Sequence, residues 1–340
     1  SKVRSRIVAD QLVKLIKEAD HVVIMGHRMS DLDAIGSAEG VLRICKICDV
    51  PAVIAVKRDA TLAGSLIDAL CRAGQRDDFI DPKEALPIIS KQTLCVVVDT
   101  YQVGLVESKE ILEKCGKVAV IDHHRKGVGY IENPALVCHE PYSSSASELV
   151  TELLQYVGDR DDKPNRVEAE GLLSGIMLDT QDFTLHTGVR TFEAAAALRR
   201  YGAETERVRQ LFDVTMTEYN AKADLVEKAQ MYKNCAISVG GEIAPEARVA
   251  IAQAANDLLR IQGVDASFVA VQVSGGVNIS ARSLGAVNVQ VIMESLGGGG
   301  HQTMAAAQLK HITPEAARSR IETAIDNYWA SQKKSSAAEK

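Results

Sequence analysis

Two clusters of histidine and aspartate, far apart in the chain, carry the side chains best suited to chemistry. Each follows a short apolar run: His27, Asp31 and Asp33 come after residues 21–25, and Asp122, His123 and His124 come with and after residues 118–121. Neutral imidazole and carboxylate together suit divalent transition metals such as Mn²⁺. Two such clusters at strand ends predict two metal ions in one site and therefore phosphoryl chemistry.

The pair Asp31 and Asp33 fits two explanations. An Asp-x-Asp sequence alone is typical of a helix N-cap with a solvated carboxylate. His27, four residues earlier and directly after an apolar run, favours metal binding instead. Carboxylates two apart on an irregular turn can contact two different ions, whereas on a strand they would point to opposite faces.

Asp99 and Asp179 extend this set, although each also has an ordinary explanation. Asp99 closes the apolar run 93–98, where a carboxylate lies either at the solvent rim or in a working site. The two clusters favour the second explanation, with Asp99 as a ligand shared by two metals. Asp179 ends the helical pattern 165–180 and is the least specific of the set, because the same sequence fits an ordinary helix terminus.

A glycine run near the carboxyl end predicts an anion-binding segment. Four consecutive glycines, 297–300, leave backbone N–H groups open to an anion, and a histidine follows them directly. A hydroxyl and a guanidinium on the preceding strand add donors suited to phosphate. A flexible linker is the alternative, but a linker seldom runs through histidine into an apolar strand. The residues expected to bind substrate are Ser280, Arg282, Gly298, Gly299, Gly300 and His301.

Composition limits the classes of function. A length of 340 residues favours two domains, and 46% hydrophobic with 25% charged residues is typical of a globular protein with a full core. The net charge of -6 and the 4% of aromatic residues argue against duplex DNA and for a small anionic ligand. Seven cysteines, an odd number, indicate a reduced, cytosolic chain. For Cys45 and Cys48, buried thiols on a helix are favoured over a zinc or redox site.

Alternation of strands and helices in the first half predicts an α/β fold that positions these side chains. Buried strands are expected at 21–26, 51–56, 93–99 and 117–122, with helical composition between them at 33–46, 61–73, 83–90 and 107–115. Such alternation gives a parallel sheet with helices on both faces. Ligands bind outside the carboxyl ends of its strands. His27, Asp99 and Asp122 all stand there, so the sheet should bring them together.

The second half predicts a different organisation. Helical patterns continue from 144 to about 233, and a mixture of strand and helix patterns begins near Asn234. We expect four segments: a catalytic α/β domain at 1–203, a charged helical connector at 204–233, a smaller mixed α/β substrate-binding domain at 234–330, and a disordered tail at 331–340.

Six separated motifs resemble, in order, those of one family. The segments GHRMSDLDAIGS, VVVDT, IDHHR and GIMLDT are similar to the four motifs of the DHH phosphoesterases. NISARS and GGGGH resemble that family's associated C-terminal substrate-binding domain. Within the family, the stretch from Ser280 to Leu309 is most similar to the GdpP-type cyclic di-AMP phosphodiesterases, which carry membrane and sensor segments upstream. The resemblance therefore implies the cytoplasmic domain of a longer, membrane-anchored protein.

The resemblance implies a role for each candidate by its motif position. His27 and Asp31 would hold one Mn²⁺, while Asp33, His123 and Asp179 would hold the other, and Asp99 would bridge the two. His124 would face the scissile phosphate and Asp122 would support the histidines. The glycine-rich domain would bind the substrate, and the protein would act as a homodimer.

The implied reaction is Mn²⁺-dependent hydrolysis of cyclic di-AMP to linear 5′-pApA, in which two metals activate water. A nano-RNase or pAp phosphatase acting on short oligonucleotides shares the same motifs, as does a RecJ-like exonuclease. The acidic charge and scarce aromatic residues disfavour the exonuclease. A nucleotide-sensing module that binds without cleaving is the remaining alternative. The presence of every candidate metal ligand argues against it. The sequence does not decide between adenine and guanine.

Overall fold

The computed structural model describes residues 2–124, 129–244, 249–300 and 302–338. Contacts divide the chain into two compact units, with the division between Asp213 and Val214. Each unit is built around its own β-sheet. Among the described residues, no helix combines the length and apolar character needed to cross a lipid bilayer.

The first unit contains a parallel sheet of six strands. These are β1 Val22–Met25, β2 Ala52–Ala55, β3 Phe79–Ile80, β4 Leu94–Val98, β5 Lys117–Asp122 and β6 Leu136–His139. Their order across the sheet is β3-β2-β1-β4-β5-β6, and all neighbours are parallel. The four predicted strands are confirmed as β1, β2, β4 and β5. The short edge strands β3 and β6 were not predicted.

Helices cover both faces of this sheet, which confirms the predicted fold class. They are α1 Lys2–Glu18, α2 Leu32–Ile47, α3 Gly64–Leu70, α4 Pro82–Ala85, α5 Lys109–Lys114, α6 Ala146–Leu154, α7 Arg166–Asp179, α8 Val189–Arg200 and α9 Thr205–Gln210. Single turns of other helix types lie at Cys71–Gln75, Arg76–Asp78, Leu86–Ile88 and Arg160–Asp162. Alternate residues of β1 face opposite layers: Val22 and Ile24 pack in the cluster with α1, α2, α6 and α7, and Val23 and Met25 pack with α4 and α5.

The strand order has a functional consequence. From β1 the chain runs outwards through β2 and β3, and then returns to place β4 on the other side of β1. Neighbouring crossovers therefore leave the sheet in opposite directions at β1 and β4, and a crevice opens at their carboxyl ends. His27 follows β1 and Asp99 follows β4, so both lie at this switch point.

The second unit is a mixed sheet with helices on both faces. Its strands are β7 Gln230–Tyr232, β8 Cys235–Gly240, β9 Ala266–Val273, β10 Gly276–Ser283, β11 Gly299–Gly300 and β12 Met304–Lys310, and its helices are α10 Met216–Glu227, α11 Val249–Leu258, α12 Val289–Ser295 and α13 Pro314–Ala338. The order is β11-β12-β10-β9-β8-β7, in which only β8 and β9 pair in parallel among the described strands. The helix α11 makes the crossover between these two strands.

Two predicted segments differ from the structure. Residues 204–233 contain α9, α10 and β7 rather than one continuous helix, because the chain leaves helical structure at 211–215. Thr215 then begins α10 as its N-cap, with Glu218 completing a capping box. The tail predicted to be disordered, 331–340, belongs largely to α13, whose backbone is helical to Ala338. Residues 331–340 contain no glycine or proline, so nothing in the sequence ends the helix earlier.

Candidate metal centre

His27 and Asp31 face each other at the carboxyl end of β1. The His27 Nε2 atom lies 3.7 Å from Asp31 Oδ1 and 3.4 Å from Asp99 Oδ2. On the other side of the ring, Nδ1 is 2.9 Å from the carbonyl oxygen of Arg28. Donation from Nδ1 to this carbonyl leaves Nε2 as the atom that faces the carboxylates and that can bind a metal ion once its proton is released.

Asp31 caps the helix α2 and also faces the candidate metal centre. Its Oδ1 accepts hydrogen bonds from the backbone N–H groups of Asp33 and Ala34, at 3.0 and 3.1 Å, which makes it the N-cap of α2. The same side chain faces His27. The two explanations of the Asp31 and Asp33 pair are therefore not exclusive, because capping fixes the orientation of the carboxylate.

Asp33 is fully buried in the first turn of α2. Its two oxygens accept hydrogen bonds from the backbone N–H groups of Ala146 and Ser147, at 2.7 and 2.8 Å, at the start of α6. Burial raises its pKa well above the ordinary value, and the carboxylates of Asp99 and Asp179 raise it further. A nearby cation would relieve both effects. The contact of Asp33 with the start of α6 was not predicted.

Asp99 lies at the middle of the centre. Only 3% of it is exposed, and its backbone adopts a left-handed conformation with φ 58°. Oδ1 is 3.3 Å from His123 Nε2, and Oδ2 faces His27. Burial would raise the pKa of Asp99, but the His123 and His27 rings outweigh burial and hold it below its ordinary value. Such a backbone conformation is uncommon for a residue other than glycine.

His123 and Asp179 complete the second side of the centre. His123 Nε2 lies 3.0 Å from Asp179 Oδ2 and 3.8 Å from Asp33 Oδ2. Despite these short distances, His123 Nε2 and Asp99 Oδ1 are buried without a hydrogen bond of acceptable alignment. Buried polar atoms left in this state cost free energy unless another partner satisfies them. Their inward convergence on one point fits a bound cation.

His124 and Asp122 stand beside these groups. His124 Nδ1 is 2.8 Å from Asp122 Oδ1 and 3.6 Å from Asp99 Oδ1. The Asp122 side chain is buried, whereas 43% of the His124 side chain is exposed. Burial lowers the pKa of His124, but Asp122 and Asp99 outweigh burial and raise it. The pair thus presents a ring of fixed orientation that holds its proton readily.

The structure brings all six predicted ligands into two overlapping groups. Within each group the candidate atoms lie within 4.8 Å of one another; the groups are His27, Asp31 and Asp99, and Asp33, Asp99, His123 and Asp179. Asp99 belongs to both, as the resemblance implies for a residue between two ions. Imidazole nitrogen with carboxylate oxygen is a donor set that Mn²⁺ accepts. The residues present therefore fit two divalent metal ions.

One glycine in α7 is required by this geometry and was not predicted. A methyl group added at Gly175 would lie 2.3 Å from Ser147 Oγ and 2.6 Å from Asp33 Oδ1. The absence of a side chain there lets α7 approach Asp33 and the start of α6 closely. A glycine inside a helical pattern close to Asp179 was the available signal.

The predicted substrate-binding residues lie in the second unit. Arg282 and Ser280 are on β10, and Arg282 Nη1 donates to Ser280 Oγ at 3.1 Å and to the Ala281 carbonyl at 2.9 Å. Burial lowers the pKa of the Arg282 guanidinium to about 10. His301 lies outside the described residues.

Two N–H groups of the glycine run, those of Gly297 and Gly298, bond within the protein instead of standing open to an anion, and the substrate-binding role of the run stays a prediction. Gly297, with φ 80°, ends α12, and its N–H bonds to Glu294 while that of Gly298 bonds to Met293 at 2.8 Å. This is a Schellman motif, which satisfies the last helix carbonyls. Gly299 and Gly300 then form β11 against β12. A methyl group at Gly298 would lie 2.1 Å from the Ala306 carbonyl oxygen, so backbone packing requires glycine there.

Comparisons with known proteins agree with this architecture. The chain is 45% identical to the cyclic-di-AMP phosphodiesterase GdpP of Geobacillus thermodenitrificans over 97% of its own length and 51% of that protein. It spans about half the length of the curated relatives it matches at this level.

Solved structures share the fold. An exopolyphosphatase-related protein from Bacteroides fragilis has a TM-score of 0.80 at 21% identity, with 95% of this chain and 96% of that chain covered. RecJ of Thermus thermophilus, solved in complex with Mn²⁺, has a TM-score of 0.54 at 15% identity, with 94% and 54% covered. The sequence pattern of the DHH family's N-terminal domain matches residues 21–176, and that of the DHHA1 domain matches residues 244–330. With both domains present in this order, the chain belongs to the DHH family.

Proposed function

We propose that this chain is a Mn²⁺-dependent phosphodiesterase that hydrolyses cyclic di-AMP to linear 5′-pApA. The observation that carries the proposal is the sharing of Asp99 between two groups of metal-ligating atoms. The 45% identity to a cyclic-di-AMP phosphodiesterase supports the substrate, and the presence of Mn²⁺ in a RecJ structure of similar fold supports the metal.

We assign the residues as follows. One ion would be held by His27 and Asp31, the other by Asp33, His123 and Asp179, with Asp99 between the two. Divalent ions bound there supply an activated water molecule and neutralise the charge of a phosphate during in-line displacement. Two of these carboxylates are held in place by backbone N–H groups: Asp31 by the start of α2 and Asp33 by the start of α6.

His124 is the residue that we expect to act on the substrate. Its exposed ring is oriented by Asp122, and its raised pKa favours the protonated form. The imidazolium can stabilise negative charge on the scissile phosphate, or it can donate a proton to the leaving 3′ oxygen. Ser280 and Arg282 would contribute to substrate binding, as the resemblance implies. The homodimer implied by the resemblance stays a prediction. Light scattering after size-exclusion chromatography would measure the mass of the particle and so test it.

Product analysis by chromatography tests the proposal. The protein with Mn²⁺ is offered cyclic di-AMP, cyclic di-GMP, pApA and pAp separately. We expect conversion of cyclic di-AMP to pApA, and loss of at least about 100-fold in kcat with Asp99→Asn. Asparagine suits this position as a test because it tolerates left-handed backbone and keeps the shape of aspartate.

The matched control is Asp49→Asn, since Asp49 is exposed, lies after α2 and also has a left-handed backbone, φ 56°. It should leave turnover unchanged. Fast release of AMP from pApA or of phosphate from pAp, with little attack on cyclic di-AMP, would place the protein with the nano-RNases and phosphatases. Nucleotide binding without any turnover would make it a sensor.

A further inference from the structure

A second, basic cavity lies at the same edge of the first sheet as the metal centre. It has a volume of about 260 Å³, and its charged lining consists of Arg28, Lys57, Lys83, Lys109, Glu107 and Glu110. Arg28 follows β1, Lys57 follows β2, Lys83 follows β3, and the remaining residues follow β4. Its walls therefore come from the carboxyl ends of four parallel strands, where ligands of such sheets bind.

Hydrogen bonds fix this cavity next to His27. The Arg28 N–H donates to the Leu105 carbonyl at 2.7 Å, and the Glu107 N–H donates to the Gly26 carbonyl at 2.9 Å. His27 itself pairs with Val106 between these two bonds. Arg28 and Glu107, which line the cavity, are therefore joined by backbone hydrogen bonds to the segment that carries His27, a candidate metal ligand.

The charge of the cavity is the opposite of that of the chain. Four cations face two carboxylates, whereas the whole chain has a net charge of -6. Among the described residues none of the four cations forms an ion pair; the Arg28 guanidinium donates to the Gly104 carbonyl. Glu107 is buried, and burial raises its pKa, although the Lys57 ammonium opposes that rise. Asp81 also lies near Glu107. An excess of positive charge without internal partners favours an anionic ligand.

We propose that this cavity binds the phosphate of a dinucleotide that is not being cleaved, while the scissile phosphate lies at the metal centre. This inference rests on the proposed function. Pockets that enclose a whole small ligand have volumes of roughly 300–1,000 Å³. A smaller cavity fits one phosphate with part of its ribose. The cations then select substrates that carry a second phosphate, which separates dinucleotides from simple phosphodiesters.

The test removes two of the charges and compares two substrates. Lys57→Gln/Lys83→Gln is assayed with cyclic di-AMP, which has two phosphates, and with bis(4-nitrophenyl) phosphate, which has one. We expect KM for cyclic di-AMP to rise about tenfold or more, while kcat/KM for the one-phosphate ester stays within about twofold of the unchanged chain. Both lysines are exposed, so the variant should fold normally.

The matched control is Lys14→Gln/Lys91→Gln, which removes the same charge from exposed positions in α1 and in the turn before β4. Equal effects of the two double variants, or an equal loss with the one-phosphate ester, would overturn the assignment.

A binding measurement separates this inference from the proposed function. Calorimetric titration of metal-free protein with pApA needs no turnover, so it remains informative even if cyclic di-AMP is not cleaved. We expect the unchanged chain and the Lys14→Gln/Lys91→Gln control to bind pApA, and Lys57→Gln/Lys83→Gln to bind it about tenfold more weakly. Absence of binding by the unchanged chain, or equal binding by all three, would show that the cavity does not hold a nucleotide phosphate.

Discussion

At the scale of single residues, the metal centre is a set of charges that stabilise one another. Burial lowers the pKa of His27, but Asp31 and Asp99 outweigh burial and raise it to about 11. The pKa of His123 is raised in the same way, because Asp179 and Asp99 outweigh the effect of burial, which lowers it. Without a cation, these rings therefore carry protons near neutral pH. A metal ligand must be a neutral imidazole, so metal and protons compete for the same nitrogens.

This competition predicts that Mn²⁺ binding releases protons. The raised pKa of His27 keeps its imidazole protonated at pH 7, and binding must remove that proton. Apparent affinity for Mn²⁺ should therefore increase as pH rises from 6 to 8. Calorimetric titrations in buffers of different ionisation enthalpy measure the protons released, which we expect to be about one or more per chain. A binding enthalpy independent of the buffer would contradict this view of the centre.

Glu39, which is not one of the candidate metal ligands, should make the stability of the protein depend on pH. It is fully buried in α2, its Oε1 has no hydrogen-bond partner, and burial followed by the charges of Glu168 and Asp78 raises its pKa to about 8. Between its ordinary pKa of 4.5 and about 8, the unfolded chain loses a proton that the folded chain keeps. Folding therefore becomes less favourable as pH rises through this window.

The variant Glu39→Gln tests this contribution, because glutamine keeps the shape and cannot ionise. Relative to the unchanged chain, the variant should be about equally stable at pH 5 and more stable at pH 8. Urea unfolding of metal-free protein at both values gives the two free energies of unfolding. If the difference between the two proteins does not change with pH, the pKa of Glu39 is not raised.

At the scale of elements, close packing of α2 against α7 positions the ligands. Asp33 lies at the start of α2 and Asp179 at the end of α7. A methyl group added at Gly36 would lie 2.4 Å from the Gly171 carbonyl oxygen, so the two backbones nearly touch. A larger side chain at this contact would move the helices apart and displace Asp33 from its partners.

We therefore expect Gly36→Ala to lower the free energy of unfolding by about 1–3 kcal/mol, as overpacking does, and to weaken Mn²⁺ binding. The control is Gly64→Ala at the start of α3, where nothing lies within 4 Å of an added methyl group. It should be neutral or stabilising by about 0.4–1 kcal/mol. Urea unfolding and Mn²⁺ titration measure both effects. Equal behaviour of the two variants would show that the helices can separate without cost.

Some of these elements could be predicted from the sequence and others could not. The apolar strands β1, β2, β4 and β5 were predictable because each is a short apolar run, rich in β-branched residues and bounded by polar residues or glycine. Phe79–Ile80, the strand β3, is too short to show any period. The glycine run cannot be interpreted from the sequence alone, because glycine serves helix termination and close backbone packing as well as anion binding, and only the partners of its N–H groups separate these uses. The contact of Ala146 with Asp33 joins residues 113 apart, which no local pattern contains.

At the scale of the whole molecule, the two units have separate cores. The buried clusters of the first unit use residues up to Phe212, and those of the second begin at Leu225. The predicted connector, 204–233, contains this division, which lies next to the capping box at Thr215. The candidate metal ligands all belong to the first unit, whereas Ser280 and Arg282 belong to the second.

This separation predicts that Mn²⁺ stabilises one unit and not the other. A ligand at 100 times its Kd adds about 2.7 kcal/mol to the unit that binds it. Trp329, the only tryptophan, packs on a core cluster of the second unit, so its fluorescence reports unfolding there. With Mn²⁺, calorimetry should show one unfolding transition moving to higher temperature. The midpoint of the transition reported by Trp329 fluorescence should stay within about 1 °C of its value without Mn²⁺. An equal shift of both transitions would contradict this prediction and would mean that the two units unfold together.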